Sequence, residues 1–504
     1  MSGAKKRILN YWPLLLILGI VSFFFLNTLG KEHLWDWDEC LYAQYPKEMQ
    51  ATGNYLINQW NGFADLQKPP LLSWLQLIPH QFGVNEFNIR IATFLFALGL
   101  IAAVYIFAKK YFSEKVALLS TLILLASELF VIYARRVNTD IGFAFLIFLG
   151  FYAWFLSSKK PWLSYLAGLL FGLSVMIKGF SVVPYLAALF IASFFNFKKE
   201  RLINYFKMIG VFLVVVIPWH LAAYLAYGKE FIQLYVIDNI VKRTQNPIEF
   251  HYGGRLFYAK LIYKELFPWI FFAALFPLYK LVTVILARPG SADSGVPRMT
   301  FTMLRRVWHD IKTHELIYTV ILLIALPLIA ITRIQTKIAW YALPIYPFLA
   351  IFLAYNINLL FEKIKLRTLF YLLVFFIAID GLSLVANETK FNQKLVVSPR
   401  NEVALKAKEH SSKTLEYLVA FSERQAEAIL PPQQKITQTF VYGGNPCAVF
   451  YSGKKVNYFY NLNEFKDRLK GKGLFLLENG DLHLIKNLPV KVILQNKEFT
   501  LFER

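Results

Sequence analysis

"YWPLLLILGIVSFFFLNTL", residues 11–29, contains no charged side chain and follows Lys5, Lys6 and Arg7. As a helix at 1.5 Å per residue it reaches about 28 Å, close to the hydrocarbon thickness of a bilayer. Gly30-Lys31-Glu32 follows it rather than a small-residue cleavage site, so the run reads as an anchor and not as a removed signal. The pattern then recurs. Further spanning candidates lie near 91–108, 116–134, 141–157, 161–177, 179–197, 208–227, 266–287, 316–332, 338–361 and 368–386, about eleven in all. Composition agrees: 57% of the 504 residues are hydrophobic and 17% charged, and the mean hydropathy is +0.45, outside the range of soluble domains. The expected fold is a polytopic α-helical membrane protein with about eleven or more transmembrane helices.

Orientation follows from the short loops, because the cytoplasmic side retains Lys and Arg. With the N-terminus inside, Lys109/Lys110, Lys159/Lys160, Lys198/Lys199/Arg201, the 288–314 loop and Lys363/Lys365/Arg367 all fall inside. An odd number of spans leaves the polar tail outside. That tail alternates in short stretches, "TQTFVY", "AVFYSG", "VNYFY" and "LFLLENGDLHLI", with one amphipathic helix candidate, "NLNEFKDRLKG", and predicts a small soluble α/β domain. The expected division is a membrane domain over 1–386, with outer loops 30–90 and 228–265, and an extracytoplasmic domain over 387–504. No internal repeat or low-complexity segment interrupts this order. The net charge of +22 is accounted for by the cytoplasmic loops, which excludes nucleic acid as the expected partner. Cys40 and Cys447 fall on the same outer side; two cysteines so far apart make no framework, and whether they pair stays open.

The informative charges are those that orientation leaves unexplained. On the outer side near membrane level stand Lys68, Arg90, Arg135, Arg136, Lys178, Lys242, Arg243, Arg255, Arg333 and Lys337, against Asp36, Asp38 and Glu39 in the first outer loop and Asp140 in "RRVNTDIGF". Ionisable groups at this depth mark a site by default; each cation alone also reads as an interfacial snorkel. Together they point to an anion pocket. Activated nucleotides are cytoplasmic, so the anion expected at an outer pocket is a phosphate carried on a lipid, as in a polyprenyl-phosphate sugar. Its phosphate gains charge as it leaves, and a cation stabilises that charge. In "WNGFADLQKPPLLSWL", residues 60–75, Lys68 is followed by two prolines of fixed φ and is suited to that task. A loop carboxylate such as Asp38 can take the proton of an attacking hydroxyl; the plain alternative for "DE" is a solvated loop or a helix N-terminus. Glu128 and Asp380 read as packing or interfacial acids.

The ordered series in residues 35–98, an Asp-Glu pair with Tyr42 after it, "NG", "KPPL" and "GVNEFNIR", resembles the GT-C class of polytopic lipid-linked-sugar glycosyltransferases. The branch it resembles holds the aminoarabinose lipid A transferase and protein O-mannosyltransferase relatives. "YARRVNTDIGFAFL", "GLSVMIKGFSVVPYL", "IPWHLAAYLAYGKEFIQLYVIDNIVKRT" and "RIQTKIAWYALPIYPFLAI" are similar to its later elements, so the likeness covers most of 30–350. The resemblance implies Asp38 as base or acceptor-site carboxylate, with Glu39 beside it. It implies Lys68, Arg243, Tyr341 and Lys337 at the donor phosphate, Asp140 and Lys178 as a charged pair by the cavity, and Tyr42 and His251 in support. In the aminoarabinose branch a glutamate before the "KPP" lysine helps hold a metal with a later histidine. Here that position is Gln67, which removes the harder anionic ligand; no metal ligand set is expected, and a divalent cation is left open.

The function expected is transfer of a sugar from a polyprenyl-phosphate donor to a lipid, glycan or protein acceptor. It would proceed with inversion at the outer face of a bacterial inner membrane. A polytopic transporter or lipid flippase is the alternative, since a charged cavity among spans also serves translocation; the absence of an inverted repeat and the one-sided charges count against it.

Overall fold

The computed structural model describes residues 10–35, 37–195, 199–248, 250–275, 278, 314–364, 367–389, 397–420, 424–425 and 444–504. Within these the apolar runs are helical: α1 (Trp12–Leu26), α4 (Glu86–Tyr111), α5 (Glu114–Leu125), α6 (Glu128–Ala134), α7 (Thr139–Ser157), α8 (Leu163–Lys178), α9 (Val183–Ala192), α10 (Lys199–Phe231), α12 (Glu315–Arg333), α13 (Tyr346–Ile364) and α14 (Arg367–Glu388), with α11 (Phe257–Leu266) between. Polar caps start several of them. The side chains of Asn85, Ser113 and Asn138 accept from the first-turn amides of α4, α5 and α7, donors that a helix cannot satisfy itself.

Among the described residues six helices are long and apolar enough to cross a membrane, and a seventh span results if α5 and α6, bent by 76°, count as one. Three further expected spans coincide with shorter apolar helices, Trp12–Leu26, Leu163–Lys178 and Phe180–Ala192; the 16 residues of α8 extend about 24 Å, less than a hydrocarbon core. The expected span at 266–287 falls mostly outside the described residues, its start being a 3₁₀ turn, Trp269–Ala274. α10 runs on as a wide π-helix, Ile232–Lys242, a form common at functional sites.

The segment between α1 and α4, expected to be the first outer loop, carries secondary structure of its own. It consists of α2 (Asp38–Thr52), the hairpin β1 (Asn58–Trp60) and β2 (Phe63–Asp65), and α3 (Leu71–His80). Asn61 and Gly62, at φ 54 and 82°, make the two-residue turn whose twist suits a hairpin.

The C-terminal domain carries a five-stranded mixed sheet, order β4-β3-β5-β7-β6. Its strands are β3 (Thr414–Leu418), β4 (Lys455–Phe459), β5 (Leu474–Glu478), β6 (Lys491–Gln495) and β7 (Phe499–Glu503), and its helices α15 (Pro399–Lys408), α16 (Pro446–Ser452) and α17 (Leu462–Arg468). Strand alternation separates two cores. Leu418, Phe475, Leu477 and Phe502 pack with Phe465 and Leu469 on one face. Leu415, Tyr417, Leu474, Leu476 and Leu501 join Val403, Cys447 and Val449 on the other, in a core that continues into Leu34, Cys40, Tyr42, Trp60 and Val137.

One tail expectation needs correction. "AVFYSG" forms a helix, α16, and not a strand. Pro446 sits in its first turn, Asn445 caps it through Cys447 N, and Gly453 ends it in the left-handed region, so caps at both ends override β-branched and aromatic content. "TQTFVY" lies outside the described residues. Cys40 and Cys447 are joined in a disulfide.

Candidate active site

Nine of the ten site residues expected from sequence line one cavity of about 960 Å³: Asp38, Glu39, Tyr42, Lys68, Asp140, Lys178, Arg243, His251 and Tyr341. They come from six separate stretches of chain. Asp38 opens α2. Lys68 follows β2, its backbone held by Asn58 Nδ2 donating to its carbonyl at 3.0 Å. Asp140 stands in the first turn of α7 behind Asn138, whose side-chain oxygen accepts from the amides of residues 140 and 141, each at 2.9 Å. Lys178 ends α8 because Gly179 follows at φ 73°, a conformation for glycine; a Cβ there would also meet the Tyr235 hydroxyl at 3.1 Å. The segment 335–337 runs along 243–251 through Gln335 N to Thr244 O, Thr336 N to Arg243 O and Lys337 N to His251 O, at 3.1, 3.2 and 2.9 Å. That ladder brings Arg243, His251 and Tyr341 to the same wall.

The two acids of "DE" differ sharply. Glu39 is buried and accepts from Trp35 N at 2.9 Å, Val137 N at 2.8 Å, Arg90 Nε at 2.9 Å and Arg90 Nη2 at 2.8 Å. Burial alone would raise its pKa, but the Arg90 charge and hydrogen bonds outweigh it and hold the carboxyl below the ordinary value. Asp38 is half-buried and carries no side-chain hydrogen bond or ion pair among the described residues. Geometry therefore leaves Asp38 available to a ligand while Glu39 ties the loop together. Asp36 lies outside the described residues.

The cations expected on the outer side divide too. Arg90 does not join an anion pocket: its remaining donors go to the carbonyls of Leu29 and Glu32, each at 2.8 Å, and His33 at 3.1 Å, so all five of its N–H groups are used. Arg135 bonds Glu32 at 3.2 Å and the Glu388 carbonyl at 2.7 Å, and Lys242 pairs with Asp238 at 2.8 Å. Lys337 is the expected phosphate ligand that does not line the cavity. Its Nζ donates to the carbonyls of Ile331, Thr332 and Ile334 at the end of α12, a C-terminal cap on the negative end of a helix.

Lys68, Lys178, Arg136 and Arg243 face the cavity. Lys178 is bonded to Asp140 and lies 5.0 Å from the Tyr341 ring centre. Lys68 donates to the Tyr42 hydroxyl and sits 4.8 Å from its ring centre. Burial pushes the Tyr42 phenol up to about 12, so it is neutral at neutral pH. Burial would lower Lys68, but the neighbouring Tyr42 and Asp38 oxygens outweigh it and hold the ammonium above its ordinary value. Arg243 Nε donates to Asn239 Oδ1 at 3.3 Å.

Sequence reading passed over several wall residues: Trp37, Trp60, Tyr133, Asp65 and Tyr460, and Arg136 as part of the site. Arg136 lies 3.2 Å over the Trp35 ring centre. Asp65 Oδ2 accepts from Tyr45 Oη at 2.5 Å and Oδ1 from Gln67 N at 2.9 Å; its place three residues before Lys68 was the available signal. Among the described residues no group of three or more His, Cys, Asp and Glu side chains is arranged to hold a metal.

The family model for dolichyl-phosphate-mannose-protein mannosyltransferase matches residues 67–221. An uncharacterized protein of Aquifex aeolicus is 31% identical over 52% of this chain and 53% of its own length. Undecaprenyl phosphate-alpha-4-amino-4-deoxy-L-arabinose arabinosyl transferase 1 of Pseudomonas fluorescens is 27% identical over 51% and 49%. The chain thus spans about half the length of the curated relatives it matches. In fold it is similar to ArnT from Cupriavidus metallidurans, solved bound to undecaprenyl phosphate, with TM-score 0.66 and 14% identity over 100% of this chain and 98% of that one. The Archaeoglobus fulgidus oligosaccharyltransferase is more distant, with TM-score 0.51 and 12% identity over 93% and 69%. The family-model match, the arabinosyl transferase relatives and the fold neighbours together make this chain similar to glycosyltransferases, over about half of its length in sequence and over all of it in fold.

Proposed function

We propose that this protein transfers a sugar from a polyprenyl-phosphate donor to a hydroxyl-bearing lipid, glycan or protein acceptor, by a single displacement with inversion. The donor phosphate is held by Lys68, Arg243 and Tyr341. The Lys68 ammonium is bonded to a neutral phenol; the Asp38 and Asp140 carboxylates lie near enough to favour its charged form but do not bond it, so the ammonium is free to turn to the leaving phosphate, where its charge matters most in the transition state. Asp38 takes the proton of the attacking hydroxyl, and the Asp140–Lys178 pair positions Tyr341. Gln67, in place of the glutamate of the aminoarabinose branch, inclines the reading away from a phosphate acceptor. The reaction runs at the outer face of a bacterial inner membrane, with about eleven spans over 1–386 and an extracytoplasmic domain over 387–504. The Cys40–Cys447 disulfide supports that side, since such bonds persist in oxidising compartments.

The observation that carries the reading is the convergence of Asp38, Lys68, Asp140, Lys178, Arg243 and Tyr341 on one cavity. To test it, purified protein is incubated with labelled polyprenyl-phosphate sugars and a cell-envelope extract, and the labelled product identified. Label should move to an envelope component as polyprenyl phosphate is released. If no donor of this class is consumed, the reading fails.

A further inference from the structure

The cavity is not walled by membrane helices and the first outer loop alone. Tyr460, directly after β4, is the C-terminal domain's one contribution among the described residues that line the cavity, and the bonds that aim it can be followed to Asp38. The Tyr460 hydroxyl accepts from Gly444 N at 3.1 Å. The next residue, Asn445, accepts from Cys447 N at 2.9 Å through its side chain and from the Tyr458 hydroxyl at 2.7 Å through its carbonyl. Gly444 sits at φ +74°, and a Cβ there would lie 1.9 Å from the Tyr458 ring, so this segment is pressed against the tyrosine ring. Cys447 is joined to Cys40, 407 residues earlier in the chain and two residues beyond Asp38 in α2.

A second attachment acts on the other side. The Asn61 side chain donates to Val456 O at 2.8 Å and accepts from Val456 N at 2.9 Å, fastening the start of β4 to the hairpin that leads to Lys68. The two segments that present Asp38 and Lys68 therefore also hold the strand that presents Tyr460. The donor's lipid tail belongs among the spans, whereas the wall made by α2, the hairpin and Tyr460 is the one an incoming acceptor meets.

We propose that Tyr460 is an acceptor-selecting residue that also keeps water from the reacting centre, and that Cys40 and Cys447 are the positioning residues that hold it at the cavity. This rests on the glycosyltransferase reading above. With the wall displaced, the bound donor is exposed to water while a larger acceptor loses its guide, so the two fates of the donor move in opposite directions.

The test uses the full-length protein with a labelled polyprenyl-phosphate sugar and the cell-envelope extract, measuring transferred label and free sugar separately. Cys40→Ser/Cys447→Ser and Tyr460→Ala should each lower the ratio of transfer to hydrolysis by roughly tenfold or more, the scale on which small misplacements act in a site. Tyr460→Phe, which keeps the ring, should stay closer to wild type than Tyr460→Ala. Binding of polyprenyl phosphate, measured alongside, should be retained, which separates this effect from misfolding. Transfer and hydrolysis falling in proportion, or an unchanged ratio in the folded Tyr460→Ala protein, would overturn the proposal. Wild-type protein that consumes no donor would overturn the reading beneath it as well.

Discussion

Glu39→Gln separates the two acids of the "DE" pair, which sequence treats alike. Four donors converge on the Glu39 carboxylate, two from Arg90 and two from the backbone at Trp35 and Val137. A glutamine has one carbonyl oxygen able to accept two of them, and its NH₂ faces the rest. About two hydrogen bonds are lost, one or both charge-assisted and worth about 1.5–3 kcal/mol each, and Arg90 is left buried without its counter-charge. The expected loss is about 3–5 kcal/mol of stability. Asp38→Asn disturbs no such network and should leave stability within about 0.5 kcal/mol, while cutting single-turnover rate on the order of a hundredfold or more. Thermal unfolding in detergent and single-turnover transfer, run on both variants, decide the matter. The pH dependence adds a sign. Because the folded-state pKa of Glu39 lies below its ordinary value of 4.5, its contribution is fully present above that value and is lost as pH falls through the folded-state value. The stability gap between wild type and Glu39→Gln should therefore narrow in acid. A Glu39→Gln protein as stable as wild type but inactive would refute the division of roles.

Lys68→Ala should lower turnover at saturating donor on the order of a hundredfold; normal turnover with only a raised KM would make the residue a ground-state contact. Lys178→Met leaves Asp140 buried and unpaired and should cost about 3–5 kcal/mol, while adding Asp140→Asn should restore much of the stability without restoring transfer; independent, additive losses would argue against the pair. Lys337→Met removes a helix cap and should cost about 1–2 kcal/mol with donor kinetics nearly unchanged, an outcome that a tenfold rise in donor KM would contradict.

The helical membrane architecture was legible because spans announce themselves by length and apolarity, and most expected runs coincide with helices. Less legible was what a helix of 13–16 residues does in a bilayer, since local sequence does not say how its ends are covered. The helix at 446–452 was misread because "AVFYSG" has strand composition, and its caps, Asn445 and Gly453, lie at or beyond the ends of the stretch that drew attention. Whether Cys40 and Cys447 pair stayed open because proximity across 407 residues is a property of the assembled fold.

The site itself was legible as a set of residue types but not as a division of labour, and the reason is physical. A buried cation is stable if something answers its charge, and sequence cannot tell whether that answer comes from the protein or from a ligand. Arg90 finds it in Glu39 and three carbonyls, and Lys337 in the carbonyls of α12; neither has charge to spare. Lys68 is met by the Tyr42 hydroxyl, a group that stays neutral until about pH 12. A neutral phenol orients an ammonium without cancelling it, and Asp38 and Asp140 favour the charged form without bonding it, so in the proposed function this ammonium is the one placed to meet the charge of a departing phosphate.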